Sequence, residues 1–242
     1  MMFRPLALAT AFAGSIGLSS AEINYAYQSG EIISTTAVVL PDTDTDDSAS
    51  VGVQLASKIA APGSKDLILF LSSEINLVTQ TAAKGGNQGG KDTSEAFAQL
   101  AATLKYCVDC PAKKDFASVA DAICNGGSAD VYTALPGPII FAARRQTLSV
   151  DVNLDCEVVD ATCAVTGYVE VDLTLDTTAA HAFNFIADLT NTGTGSTNTP
   201  VQVVACFDLD ASAEADAGSA EGHVSLGSTM LIVQEASVSN FN

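Results

Sequence analysis

Six cysteines, Cys107, Cys110, Cys124, Cys156, Cys163 and Cys206, are the residues best placed to do chemistry in this chain. A thiol can serve as nucleophile, metal ligand or half of a disulfide. Cys107-Val108-Asp109-Cys110 has the spacing of a redox or zinc motif. A thioredoxin-type pair needs its first cysteine at a helix start after a βαβ pattern. Pro111 and the strand-like surroundings do not supply that. A zinc centre needs two more ligands at motif spacing, and His181 and His223 are distant singles. An even cysteine count behind an export signal favours structural disulfides. Sequence alone does not fix their pairing. Local patterning puts Cys156–Cys163 across a hairpin and lets Cys110–Cys124 tie down an insertion. Cys107–Cys206 then follows by elimination.

The export signal lies at the start. Arg4 is the one charge of a short n-region, Leu6 to Leu18 is apolar, and Ser19-Ser20-Ala21 puts small residues before Glu22. That is the layout of a cleavable secretory signal over residues 1–21. The apolar run is shorter than the roughly 20 residues a bilayer span requires. An uncleaved anchor is the competing account. No later stretch is long and apolar enough to span, so an exported, extracellular chain without a membrane span is expected. Residues 22–242 then form a single domain. The net charge is −18, and loss of Arg4 makes it −19. Such a charge repels nucleic acid and anionic membranes. A hydrophobic content of 48% argues against disorder.

Oxygen ligands come next. Asp42, Asp44 and Asp46 space carboxylates at i, i+2 and i+4, as calcium prefers. An EF-hand loop would need Gly where Asp47 stands and Glu where Val53 stands, so only a looser calcium site fits. A solvated acidic turn is the plainer account. Gly85-Gly86-Asn87-Gln88-Gly89-Gly90-Lys91-Asp92 approaches a phosphate-binding loop. Asp92, however, replaces the hydroxyl residue that holds magnesium. A glycine-rich hairpin loop accounts for it better. His181, beside a turn leading into a strand, reads as structural. The many carboxylates permit a glycosidase pair, but none stands out. The chain has no Trp and five Tyr, Tyr25, Tyr27, Tyr106, Tyr132 and Tyr168, so any ring-stacking platform for glycans is thin.

The elements that must position these groups follow period two. Leu67–Thr79, Leu148–Leu154, Val169–Leu175, Phe183–Leu189 and Val203–Leu209 alternate apolar with polar residues. One face in a core and the other in water is the pattern of half-buried antiparallel strands. Further strands are expected near Ile32–Leu40, Val51–Ile59 and Met230–Val238. Glu95–Cys110 fits a helix or a strand, and its neighbours favour strand. Asp115 can cap a short helix carrying Phe116, Val119, Ala120 and Ile123, within an insertion over Pro111–Pro138. Eight or more strands with polar turns predict an all-β antiparallel sandwich, jelly-roll-like, with that helical insertion.

Phe141–Ser149 and Leu175–Phe185 resemble stretches of uncharacterised exported microbial β-sandwich proteins. The resemblance covers roughly the C-terminal half. It implies the sandwich fold and carries over no activity, ligand or functional residue.

Three functions fit. The first is a secreted, non-enzymatic surface, matrix or binding protein, with a glycan, cation or protein as partner. The second is a secreted carbohydrate-active hydrolase on a sandwich scaffold. The third is a calcium-assisted adhesion or glycan-binding module. The signal layout makes one direct prediction. N-terminal sequencing of protein recovered from the medium should begin at Glu22 or within a few residues. Recovery of an intact Met1 product fixed in a membrane would refute both cleavage and export.

Overall fold

Alternation along the chain becomes strand wherever an apolar face can be buried. The computed structural model describes residues 23–28, 33–40, 47–62, 66–85, 90–110, 120, 122–125, 131–152, 169–190, 192, 198–216 and 218–236. The strands are β1 (Ile23–Gln28), β2 (Ile33–Val39), β3 (Asp47–Pro62), β4 (Asp66–Gly85) and β5 (Gly90–Val108). They continue with β6 (Val131–Thr133), β7 (Ile139–Val152), β8 (Val169–Ala187), β9 (Asn198–Ala215) and β10 (Ser219–Ala236).

Two antiparallel sheets pack face to face. One runs β2-β10-β4-β8, with β1 continuing the β2 edge along the other half of β10. The second runs β3-β9-β5-β7, with β6 beside the far end of β5. Strands that follow one another, such as β2 and β3 or β4 and β5, therefore lie in opposite sheets. This is the jelly-roll connection pattern, and the expected all-β sandwich is the observed fold. The ambiguous Glu95–Cys110 segment is strand β5, whose Ala96, Ala98, Leu100, Ala102 and Leu104 are all buried. Their period of two, with Glu95, Gln99, Thr103 and Lys105 on the opposite face, is that of a strand.

Two expectations change. The glycine-rich segment at Gly85–Asp92 is no hairpin loop, because β4 ends at Gly85 in one sheet and β5 begins at Gly90 in the other. The buried Asp92 carboxylate accepts from the Lys84 amide and ties the two ends of this connection together. Val169–Leu175 and Phe183–Leu189 belong to the same strand, β8, so His181 sits within a strand and not after a turn.

The cysteine pairing also differs. Cys107 pairs with Cys110, and Cys124 with Cys206. The expected Cys107–Cys206 bridge fails on register, because Cys206 stands opposite Thr103 and Cys107 opposite Gln202. Four residues of strand, about 13 Å, separate them. The expected Cys110–Cys124 bridge fails because each partner is otherwise engaged. Asp109, at a positive φ of 52°, turns the chain so that Cys110 comes back to Cys107. Cys124 meets Cys206 on β9 from the helical turn at 122–124. That turn buries Ala120 and Ile123 against Cys107, Val204 and Cys206 on the outside of the second sheet. These two apolar residues match the expected helix face, while Asp115, Phe116 and Val119 lie outside the described residues. Closing a loop across 82 residues contributes about 4–5 kcal/mol in chain-entropy terms. Cys156 and Cys163 also lie outside the described residues.

The main core tapers. At one end Phe141, Phe185 and Phe207 join Leu67, Leu69 and Leu71. At the other end the inward residues shrink to Ala37, Ala96, Ala211, Ala213 and Ala220. Between the edges β7 and β8, polar residues do the joining. Gln146 is buried and accepts from Thr79 Oγ1 at 2.7 Å. Its amide donates to Thr81 Oγ1 at 2.8 Å and to the Leu173 carbonyl at 2.7 Å. Arg144 adds bonds to the Leu77 carbonyl and to Thr177 Oγ1. Gln146 thus links β7 of one sheet to β4 and β8 of the other. Gln146→Leu keeps the volume and removes every bond. It should lower stability by about 2–4 kcal/mol, from three lost bonds and buried hydroxyls left without partners. The urea midpoint would measure this, and a shift equivalent to less than about 0.5 kcal/mol would show the clamp to be idle.

Candidate functional site

The outer face of the first sheet carries the candidate site, and β1 builds its edge. Most strands here point large apolar side chains inward. β1 is inverted: Ile23, Tyr25 and Tyr27 face solvent at 59%, 71% and 59% exposure. The inversion has a local cause. Asn24 turns toward the opposite sheet, and its Nδ2 donates to the Lys58 carbonyl of β3. Its Oδ1 accepts from the Tyr25 amide at 2.9 Å. With Asn24 and Ala26 half-buried, alternation leaves both tyrosine rings outside.

Register carries this surface across four strands. Ile23 stands beside Gln234, then Ile68, then Ile186. Tyr25 stands beside Ile232, Phe70 and Asn184. Tyr27 stands beside Met230, Ser72 and Ala182. Carboxylates and cations are absent from these three rows, in a chain of net charge −18. Ile186 and Met230 are themselves exposed at 49% and 38%.

At the Tyr27 end the face deepens into a groove of about 360 Å³. It lies where the register of β10 shifts between Leu226 and Thr229, beside the end of β1. Tyr27, Ser72, Glu74, Thr178, Ser228 and Met230 are among its lining residues. Glu74 packs against Gly227 there, where a Cβ would come within 3.2 Å of the glutamate side chain. Below it, Thr229 Oγ1 donates to Ser73 Oγ and pins the floor. The groove therefore offers hydroxyls, one carboxylate and one ring edge. A smaller cavity of about 280 Å³ lies on the second sheet, beside Cys124–Cys206, with Lys105 and Asp208 in its wall. Lys105 Nζ is engaged there, donating to the Cys124 carbonyl at 2.6 Å.

The residues singled out from sequence do not converge. Asp42, Asp44 and Asp46 lie outside the described residues. Asp47, next to them, caps β2 by accepting from the Val38 amide at 2.9 Å. His181 stands opposite Ser73 and His223 opposite Val78, five residues apart along β4 and on opposite faces of the sheet. His223 Nδ1 bonds Thr36 Oγ1 at 2.7 Å. Among the described residues, no group of three or more His, Cys, Asp or Glu side chains is arranged to hold a metal ion.

A carboxylate pair that sequence did not single out sits at the wide end of the core. Burial pushes the Asp66 carboxyl above its ordinary range, and nearby Asp188 raises it further, against a bond from the Leu189 amide. Asp66 Oδ1 is buried without a hydrogen-bond partner. Tyr106 donates to the Asp188 carbonyl at 2.7 Å and stacks on Tyr132. Burial, then Asp188, Tyr132 and Asp66, pushes the Tyr106 phenol up to about 12. Asp188 itself is tied into a local turn by the Thr190 amide and hydroxyl. Neither cavity described above is lined by this group.

The fold and site thus define an antiparallel jelly-roll sandwich with an apolar, tyrosine-bearing outer face. No protein-family model matches the chain, and no curated protein does. Two solved structures of infectious bursal disease virus are similar to it. The Gt strain structure matches at 11% identity and a TM-score of 0.21, over 93% of this chain and 61% of that one. The Gx strain structure matches at 10% identity and a TM-score of 0.13, over 93% and 63%. This chain therefore spans less than two thirds of the length of either. Likenesses at these TM-scores carry no argument about function.

The Asp66 geometry yields a pH prediction. The folded state holds the Asp66 proton more tightly than the unfolded chain does, so its ionisation costs stability as pH rises through the raised pKa. Asp66→Asn keeps the Leu189 bond and removes that cost. Its melting temperature should exceed the parent's at pH 7. The gain should shrink with acidification and vanish below the ordinary value of 3.8. Equal melting temperatures across the whole range would show that the burial of Asp66 carries no electrostatic cost.

Proposed function

We propose that this is an exported, non-enzymatic binding protein whose ligand is a neutral saccharide. The observation that carries the reading is the pair Tyr25 and Tyr27, held side by side and exposed on a sheet face. Alternate residues of one strand stand about 6.6–6.8 Å apart. Pyranose rings present C–H faces that pack on aromatic rings, while their hydroxyls need polar neighbours. The adjoining groove supplies those neighbours in Ser72, Glu74, Thr178 and Ser228.

Charge supports a neutral ligand. A chain of net charge −18 repels anionic polysaccharides and nucleic acid alike. The hydrolase alternative draws less support. A glycosidase generally works with two carboxylates flanking the bond, and the described lining of the groove holds Glu74 alone. The Cys124–Cys206 staple suits an oxidising, extracellular setting.

Pull-down of the mature protein with a panel of neutral polysaccharides, β-glucan, cellulose, chitin and xylan, tests the proposal. At least one should retain it. Tyr25→Ala and Tyr27→Ala should each weaken that binding about 3–10-fold, the scale of one lost ring contact. Their melting temperatures should stay close to the parent's, because both rings lie outside the core. Failure of the whole panel would overturn the reading, as would a double variant that binds like the parent.

A further inference from the structure

The saccharide reading leaves most of the outer face unused. A single sugar chain lying along β1 covers Tyr25 and Tyr27. It leaves uncovered the half-buried Phe70, two strands away, and the exposed Ile186, three strands away. The apolar face crosses three strand spacings of about 4.8 Å, close to 14 Å in all. Along the strands, the rows from Ile23 to Tyr27 cover about 13 Å. Ile23, Tyr25, Tyr27, Met230 and Ile186 are all exposed on this one face, more apolar side chains than one sugar chain along β1 would cover.

We infer that the face docks on a plane and not on a single chain: the flat surface of an insoluble, neutral polysaccharide in which parallel chains lie side by side. This deepens the saccharide reading and rests on it. Four features select this occupant. The rows contain no carboxylate and no cation, so they offer nothing to a charged partner. The rest of the molecule is strongly acidic, so a second copy would bring two negative rims together around a modest apolar contact. The footprint, about 13 by 14 Å, is also well below the roughly 800 Å² per partner of a standard protein interface. A polysaccharide surface carries no such charge and can meet all four strands at once. Neutral side chains that bond hydroxyls, Gln234, Asn184 and Ser72, are interspersed in the rows.

Ile186 provides the test, because it lies on the strand farthest from the tyrosines and its side chain is exposed. The mature protein would be titrated onto crystalline cellulose and crystalline chitin powders. In parallel it would be titrated with soluble cello- and chito-oligosaccharides by calorimetry. Ile186→Asn should weaken retention on the bound powder about 3–10-fold and leave any oligosaccharide affinity unchanged. Tyr25→Ala should weaken both. Melting temperatures would confirm that each variant folds. The plane proposal is overturned if Ile186→Asn binds the powder like the parent, or if a soluble oligosaccharide competes the protein off it completely at parent affinity. It is also overturned if the face instead holds neutral phosphatidylcholine vesicles, or if sedimentation shows a dimer that Ile186→Asn dissolves. Binding to soluble oligosaccharides alone would leave the saccharide reading standing and remove the plane. Binding to neither sugar form would remove both.

Discussion

The distance between the two sheets is the constraint on which the rest of this structure depends. At the narrow end it is set by the absence of side chains. A Cβ on Gly222 would lie 2.2 Å from the Phe97 carbonyl oxygen and 2.8 Å from that of Ser212. Both contacts are backbone, so neither can swing aside. The alanines around this point, Ala96, Ala211, Ala213 and Ala220, let the sheets close to that distance. At the other end phenylalanines and leucines hold them apart. The taper explains why alanine is so frequent in a chain whose strands are long. It also explains the Gln146 clamp. Where the sheets come close, a single side chain on β7 can reach hydroxyls on β4 and a carbonyl on β8.

Much of this fold was legible in the sequence, because most strands bury one face and so alternate. β4, β5 and β10 each show that pattern in their burial, and β9 does so beyond Phe207, its earlier residues being covered on both faces. The middle of β8 was harder to read. Between Leu175 and Phe183 its inward positions are Thr177, Ala179 and His181, which break the apolar run without breaking the strand. β1 escaped notice for the opposite reason. Its large residues point to solvent, so its alternation has no core to answer to, and it follows directly on a segment read as a signal. Sheet membership was invisible throughout. Nothing local in Gly85–Gly90 distinguishes a hairpin from a crossing between sheets.

The candidate site and the cysteine pairing share that limit. Tyr25 and Tyr27 are an evident i, i+2 pair, but Met230, Phe70 and Ile186 join them only through register among four strands. The pairing of Cys124 with Cys206 depends on where β9 lies against β5, a matter of long-range pairing. By contrast, Ala120 and Ile123 were readable as one helix face, because that signal is local.

The placement of β1 has a mechanical consequence. β1 and β10 are antiparallel neighbours, with Ile23 opposite Gln234 at one end of the pair. A pull applied in opposite directions through the chain at those two residues loads the ladder from its end. The bonds then break in succession, as in a zipper, and the yield force is that of a single rung. A pull through β10 against a ligand held on the outer face acts differently. It runs along the sheet and shears the β10–β4 ladder, which pairs from Ser219 to Ala236 and shares the load over many rungs. The same domain is therefore weak as a link in series and strong as an anchor hung from one end.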